Sequence, residues 1–199
     1  MVQYLSQPLP DVEVDCLVPV SGRGIRLQGW LKHMTQQGLV RYRPGKIRAQ
    51  DILACWLDHL CLAVTKPSQP TYLIGIDGTW QLEPVSAQYA MEQLVALMEG
   101  YDCGLTQPLP YFPRTAHAGI QACIDKKGQW CDDEATLSKA AGKRAEAFNG
   151  GYMFEGEGNN SYIYRVWPQW DDEVAEQLQG WEAQILQPAV MQLREAEQG

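Results

Sequence analysis

The sequence predicts an α+β fold, a mixed sheet flanked by helices with a helical C-terminal lobe, on three observations. Short alternating apolar–polar runs separated by turn residues fill the first 45 positions. A four-turn amphipathic stretch follows them. Beyond residue 100 the pattern changes to a proline-rich connector and helical segments, so the expected division is 1–100 as a β-rich core and 101–199 as connector and helical lobe of the same compact domain.

Val12 to Val18 alternates as a half-buried strand does, Ser21-Gly22-Arg23-Gly24 reads as a tight turn, and Ile25 to Leu31 alternates again. Thr35-Gln36-Gln37-Gly38 is a second turn and Leu39 to Arg43 a third strand, stopped by Pro44-Gly45. The expectation is three antiparallel strands in sequence order. Ile52, Leu53, Trp56, Leu57 and Leu60 then follow i, i+3/i+4 spacing, a helix over about 49–64 that Pro67 ends. A hairpin over 72–82 carries Asp77-Gly78 in its turn, and Ser86 caps a helix over about 87–99. Further helices are expected over 114–123, 134–148, 172–178 and 188–197, with the glycine-rich 150–160 between them as a loop.

With 45% hydrophobic residues in 199, the chain has the apolar content for a packed core. No apolar run reaches the ~20 residues of a membrane span. The N-terminal residues have neither the basic start nor the apolar middle of an export signal, which points to a cytoplasmic protein. Six scattered cysteines without a CxxC pair read as reduced thiols, with no zinc site and no cofactor.

Charge is segregated along the chain. The formal net charge is −8, yet residues 16–50 contain no acid and seven cations: Arg23, Arg26, Lys32, Arg41, Arg43, Lys46 and Arg48. From Phe154 onward nine acids face only Arg165 and Arg194. The basic stretch suits phosphates or a solvated sheet face, with Trp30 and Tyr42 available to stack on bases. Both aromatics read more simply as core residues. Other candidates carry little chemistry. Asp58-His59 beside Cys55 lacks a group to orient the histidine. Asp132-Asp133-Glu134 and Asp171-Asp172-Glu173 each precede a helix, where acids complement the dipole without binding metal.

The strand–strand–strand–helix order, with Gly29-Trp30-Leu31-Lys32 in the second strand and Val40-Arg41-Tyr42-Arg43-Pro44-Gly45 in the third, resembles the core of restriction-endonuclease-like nucleases. In the recombination nucleases of that superfamily these strands read G-x-x-D and D-Y-K-T-G, and the acids hold Mg²⁺. Gly29, Tyr42 and Gly45 match. Lys32 and Arg41 stand where the acids belong, Arg43 replaces the lysine, and Pro44 replaces the threonine. A cation cannot ligate Mg²⁺ and repels it, so the resemblance implies a nuclease-like fold without hydrolysis.

These segments, with GTWQLEPVSAQYAMEQLVALMEGY, QPLPYFPRTAHA and KAAGKRAEAFNGGYMFEGEGNNSYIYRVW, resemble the C-terminal region of the gamma-chain (RecC) family of bacterial exodeoxyribonuclease V over about residues 8–195. The resemblance implies an inactive domain that supports DNA binding, duplex splitting and subunit assembly in double-strand break repair. Its partners would be the beta and alpha chains of that enzyme, double-stranded DNA ends and single-stranded DNA. A scaffold that docks the sister subunits without touching DNA is the alternative, because arginine and tryptophan also concentrate at protein interfaces.

Overall fold

The computed structural model describes residues 8–196. The chain divides into two units, Met1–Asp102 with Gln192–Gly199, and Cys103–Met191. Among the described residues no helix is long and apolar enough to cross a membrane.

In the first unit, β1 (Val12–Val20) and β2 (Arg23–Leu31) pair antiparallel from Val12↔Leu31 to Val20↔Arg23. Ser21 and Gly22 turn the ribbon with φ of 49° and 78°, the two-residue turn whose twist matches its strands. Val14, Val18, Val20 and Leu31 are buried, while Leu17 and Trp30 are exposed.

The three-stranded antiparallel expectation needs correction at this point. β2 stops at Leu31, His33 takes φ 62°, and a two-residue strand β3 (Met34–Thr35) restarts in a different sheet. There it pairs antiparallel with β4 (Gly38–Tyr42). Alternation states which face a strand buries and leaves its neighbour unspecified. The left-handed backbone at His33 marks where the chain leaves one sheet for the next. Gly38 begins β4 at φ 140°, and a Cβ there would strike the carbonyl of Pro70, which instead accepts the Leu39 N–H at 3.1 Å.

β4 pairs in parallel with β5 (Thr71–Gly75), from Leu39↔Thr71 to Tyr42↔Ile74. A parallel pair requires a crossover, and the 17-residue helix α1 (Ala49–Thr65) supplies it. Its bounds are those the spacing predicts, within a residue. Ile52, Trp56 and Leu60 form its buried face. β6 (Gly78–Leu82) returns antiparallel to β5. Ser86 then caps α2 (Ala87–Gly104), its Oγ accepting the Tyr89 N–H at 3.2 Å.

The second unit holds α3 (Pro113–Ala122), α4 (Glu134–Asn149), the short hairpin β7 (Gly150–Gly151) and β8 (Phe154–Glu155), a 3₁₀ turn over Glu157–Asn159, α5 (Ser161–Val166), α6 (Asp172–Ile185) and most of α7 (Gln187–Gln192). Phe112 packs on Phe148 and Trp167, with centroids 5.0 and 5.2 Å away, and Phe148 packs on Trp170 at 5.1 Å. The one buried ion pair joins Arg144 of α4 to Glu182 of α6 among the described residues, with Nε donating to Oε2 at 3.0 Å and Nη2 to Oε1. Burial pushes the Glu182 carboxyl up in pKa, against the pull of Arg144.

The last element differs from expectation. The helix expected over 188–197 ends at Gln192, and β9 (Leu193–Glu195) pairs antiparallel with β6, Leu82↔Leu193 to Trp80↔Glu195. Glu197 lies outside the described residues. Local helix propensity there yields to the unpaired edge of β6, whose backbone groups take hydrogen bonds from a new strand. The five-stranded sheet then runs β3-β4-β5-β6-β9 and is mixed, as expected.

Arg144→Met leaves Glu182 buried without a counter-charge, so the second unit should lose about 3–5 kcal/mol. The urea midpoint reads this directly. Replacing both residues with methionine should recover much of the loss, and a double variant as unstable as the single one would contradict the account.

Candidate nucleic-acid interface

The acid-free stretch does not fold as a bare cationic face. Four of its seven cations find carboxylates from outside it. Arg23 pairs with Asp102 near the end of α2. Arg26 grips Asp15 across the ribbon with both nitrogens, Nε to Oδ1 at 2.8 Å and Nη2 to Oδ2 at 2.6 Å. That hydrogen bonding lowers the Asp15 pKa. Arg41 pairs with Asp58 at 2.9 Å, and Arg43 with Asp51 at 3.0 Å.

The last two pairs follow from periodicity. Arg41 and Arg43 are two apart and share one side of the strand direction. Asp51 and Asp58 are seven apart, two turns of α1, and share one face of the helix. Asp51 also accepts the Arg48 N–H at 2.9 Å, so one carboxylate both starts the helix and holds Arg43. Burial raises the Asp58 pKa and Arg41 lowers it.

These pairs occupy the positions of the degenerate nuclease motif. Arg41 and Arg43 are bound to acids, and Lys32 sits at the break after β2, exposed. A Cβ on Gly45 would lie 3.1 Å from the Arg43 Nε, whereas Gly29 faces open space. The donor set does not fit a divalent cation, since ammonium and guanidinium groups stand where carboxylates are needed.

Lys32, Lys46 and Arg48 are exposed and carry no ion pair among the described residues. Trp30 and Tyr42 are not core residues, which corrects the simpler reading of both: they are 61% and 49% exposed. Strand alternation puts Trp30 on the outer face of the ribbon, opposite Glu13. Tyr42 meets the ring of His33 edge-on at 5.5 Å, which brings it beside the break that carries Lys32.

The remaining candidates resolve into structural roles. His59 is buried, its Nδ1 2.9 Å from the Thr71 hydroxyl and its ring stacked on Trp56. Burial drives its pKa down to about 4 and that of Cys55 up to about 12, so neither is poised as a base or a nucleophile. Asp133 and Asp171 cap α4 and α6, accepting the N–H groups of Thr136 at 3.1 Å and Val174 at 2.9 Å. All six cysteines are free.

Sequence reasoning missed the acids that neutralise the arginines. The seven-residue spacing of Asp51 and Asp58 on an otherwise apolar helix was the available signal. It also read 150–160 only as a loop. Tyr152 and Met153 project from that hairpin fully or almost fully exposed, and Tyr162 and Tyr164 follow on α5.

Comparison with known proteins identifies the family of the chain. The family model of the RecC C-terminal domain matches residues 1–124. The RecBCD enzyme subunit RecC of Escherichia coli K12 is 31% identical over 172 residues, covering 85% of this chain and 15% of that protein. Those of Buchnera aphidicola from Baizongia pistaciae and from Acyrthosiphon pisum are 28% and 24% identical, over 70% and 71% of the chain. The chain spans about a seventh of these relatives, all of them named as subunits of one multi-subunit enzyme. It belongs to the RecC C-terminal domain family.

The depressed His59 pKa has a definite consequence for stability. The unfolded chain binds its proton near 6.5 and the folded chain near 4, so the histidine's contribution is complete above pH 6.5. It declines as pH falls from 6.5 towards 4 and is constant below that. The amount lost is on the order of 3 kcal/mol. Urea titrations of the protein and of His59→Gln at pH 7.5 and 4.5 should show a smaller acid penalty in the variant; equal penalties would refute the assignment.

Proposed function

We propose that this domain is a non-catalytic, nuclease-like module of the exodeoxyribonuclease V gamma subunit, which supports DNA binding and duplex splitting during recombinational break repair. The observation that carries the reading is the pairing of Arg41 with Asp58 and of Arg43 with Asp51. The two positions that would hold catalytic metal in an active relative are filled with cations, Lys32 and Arg41, and the next helix supplies acids that pair with Arg41 and with its neighbour Arg43. The strand–helix–parallel strand unit β4-α1-β5 supports the restriction-endonuclease-like assignment. Membership of the RecC family supports the beta and alpha chains of the enzyme as partners and a place in bacterial recombination and repair, in the cytoplasm.

DNA contact in this reading falls to Lys32, Lys46 and Arg48, with Trp30 and Tyr42 available for stacking. Arg23, Arg26, Arg41 and Arg43 are committed to carboxylates and contribute little to phosphate binding. The scaffold alternative is favoured by a separate observation, the exposed aromatic side chains of residues 152–164.

Two measurements test the reading. Purified domain with Mg²⁺ should leave linear DNA intact, and EDTA-sensitive cleavage would overturn the non-catalytic assignment. On a forked duplex, three engaged cations give a slope of log K against log salt of about −2.7. Changing Lys32, Lys46 and Arg48 together to Gln should abolish that slope. Arg41→Gln with Arg43→Gln should instead reduce stability and leave the slope of the folded protein nearly unchanged. If the second pair flattens the slope and the first set does not, the phosphate contacts are misassigned.

A further inference from the structure

The hairpin of the second unit is aromatic at its tip and fixed at its base. Tyr152 and Met153 lie between β7 and β8, Met153 at 86% exposure and Tyr152 fully exposed, and Phe154 follows them. Across the 3₁₀ turn, α5 adds Tyr162 at 81% exposure and Tyr164. Free solvation of this many large side chains within fifteen residues is unfavourable, and such clusters mark interaction sites.

The base holds the cluster in one geometry. Arg114 donates to the carbonyls of Ala147 at 3.2 Å and Glu155 at 2.6 Å, so one guanidinium ties the end of α4 and the second strand of the hairpin to α3. Glu157 accepts the N–H groups of Arg114 and Thr115 at 3.2 and 2.8 Å and the Thr115 hydroxyl at 2.9 Å, capping α3 from the far side of the hairpin. Gly158 packs directly on the Phe148 ring, where a Cβ would collide. A rigid presenting element gives up little conformational entropy on binding.

Charge identifies the occupant. From residue 150 to 177 there are six acids and one cation, Arg165. Glu155, Asp171, Asp172, Glu173 and Glu176 are exposed, and Glu157 is taken up by its cap. Such a surround repels a phosphate backbone and attracts Lys and Arg. Tyrosine and methionine are enriched at protein interfaces, with tyrosine common among hot spots.

We propose that residues 150–166 form a docking surface for a partner polypeptide that offers an apolar pocket rimmed by Lys and Arg, with Tyr152 and Met153 as the inserted anchors. The surface is separate from the phosphate contacts proposed for Lys32, Lys46 and Arg48, so either assignment can fail alone.

The test uses the complete gamma subunit carrying Tyr152→Ser with Met153→Ser, and the separately purified beta and alpha chains of the enzyme as probes. Both changed side chains are in solvent, and melting temperature should not move. Affinity for one of the two subunits should fall at least tenfold, with forked-duplex binding by the gamma subunit unchanged. A second variant, Asp172→Asn with Glu173→Gln, should slow association with that same subunit and weaken its salt dependence. Unchanged affinity for both subunits overturns the proposal. So does normal assembly with loss of forked-duplex binding, which would make the hairpin a nucleic-acid contact.

Discussion

The ion pairing between β4 and α1 is the constraint on which the first unit depends. Arg41 and Arg43 point from a strand buried through Leu39 and Val40, and their side chains are only part-exposed. Unpaired, each would cost desolvation without return. Asp58 and Asp51, two turns apart on the crossover helix, meet them in register. Pairs this accessible are worth ~1 kcal/mol or less each after solvent screening. Their larger effect is on geometry, because a one-residue slip of α1 along β4 would break both contacts at once. The parallel pairing of β4 and β5 relies on that helix lying where it does.

The same pairs separate sequence charge from surface charge. Seven cations without an acid over 35 residues describe the chain, and the fold then supplies Asp15, Asp51, Asp58 and Asp102 from either side of the stretch. What remains for a ligand is Lys32, Lys46 and Arg48. Arginine is suited to the paired positions, since its planar fork donates two bonds to one carboxylate, as Arg26 does to Asp15. Two of the three remaining cations are lysines, whose strongly hydrated ammonium groups sit well in solvent.

Much of the fold was legible because it depends on local periodicity. Helix α1 and the 72–82 hairpin carry unambiguous spacing and breakers, and the structure places them within a residue or two. Two features were not legible, for different reasons. The break at Lys32-His33 rests on one backbone angle that no side-chain pattern announces. β9 forms where helix-favouring residues meet an open sheet edge more than 100 positions earlier in the chain. Trp30 and Tyr42 failed for a third reason: in an alternating strand an aromatic is assigned inward by its size, yet register alone decides its face. Trp30 shares parity with Arg26 and Gln28, opposite Glu13 and Asp15, and that polar company was the better guide.

The two units handle charge by different physics. In the first, part-exposed pairs lie where solvent can screen them, so loss of one partner leaves an ion that water can still reach. In the second, Arg144 and Glu182 are enclosed, with Gly119 packed so closely on the guanidinium that no Cβ fits there. A pair so enclosed is costly to break and adds little over apolar packing. Its effect is to admit one registry of α4 against α6. That registry sets the end of α4, where Phe148 and the Ala147 carbonyl begin the hairpin that Arg114 clamps. The exposed tip at Tyr152 and Met153 therefore derives its fixed position from a charge pair buried in the helices below it.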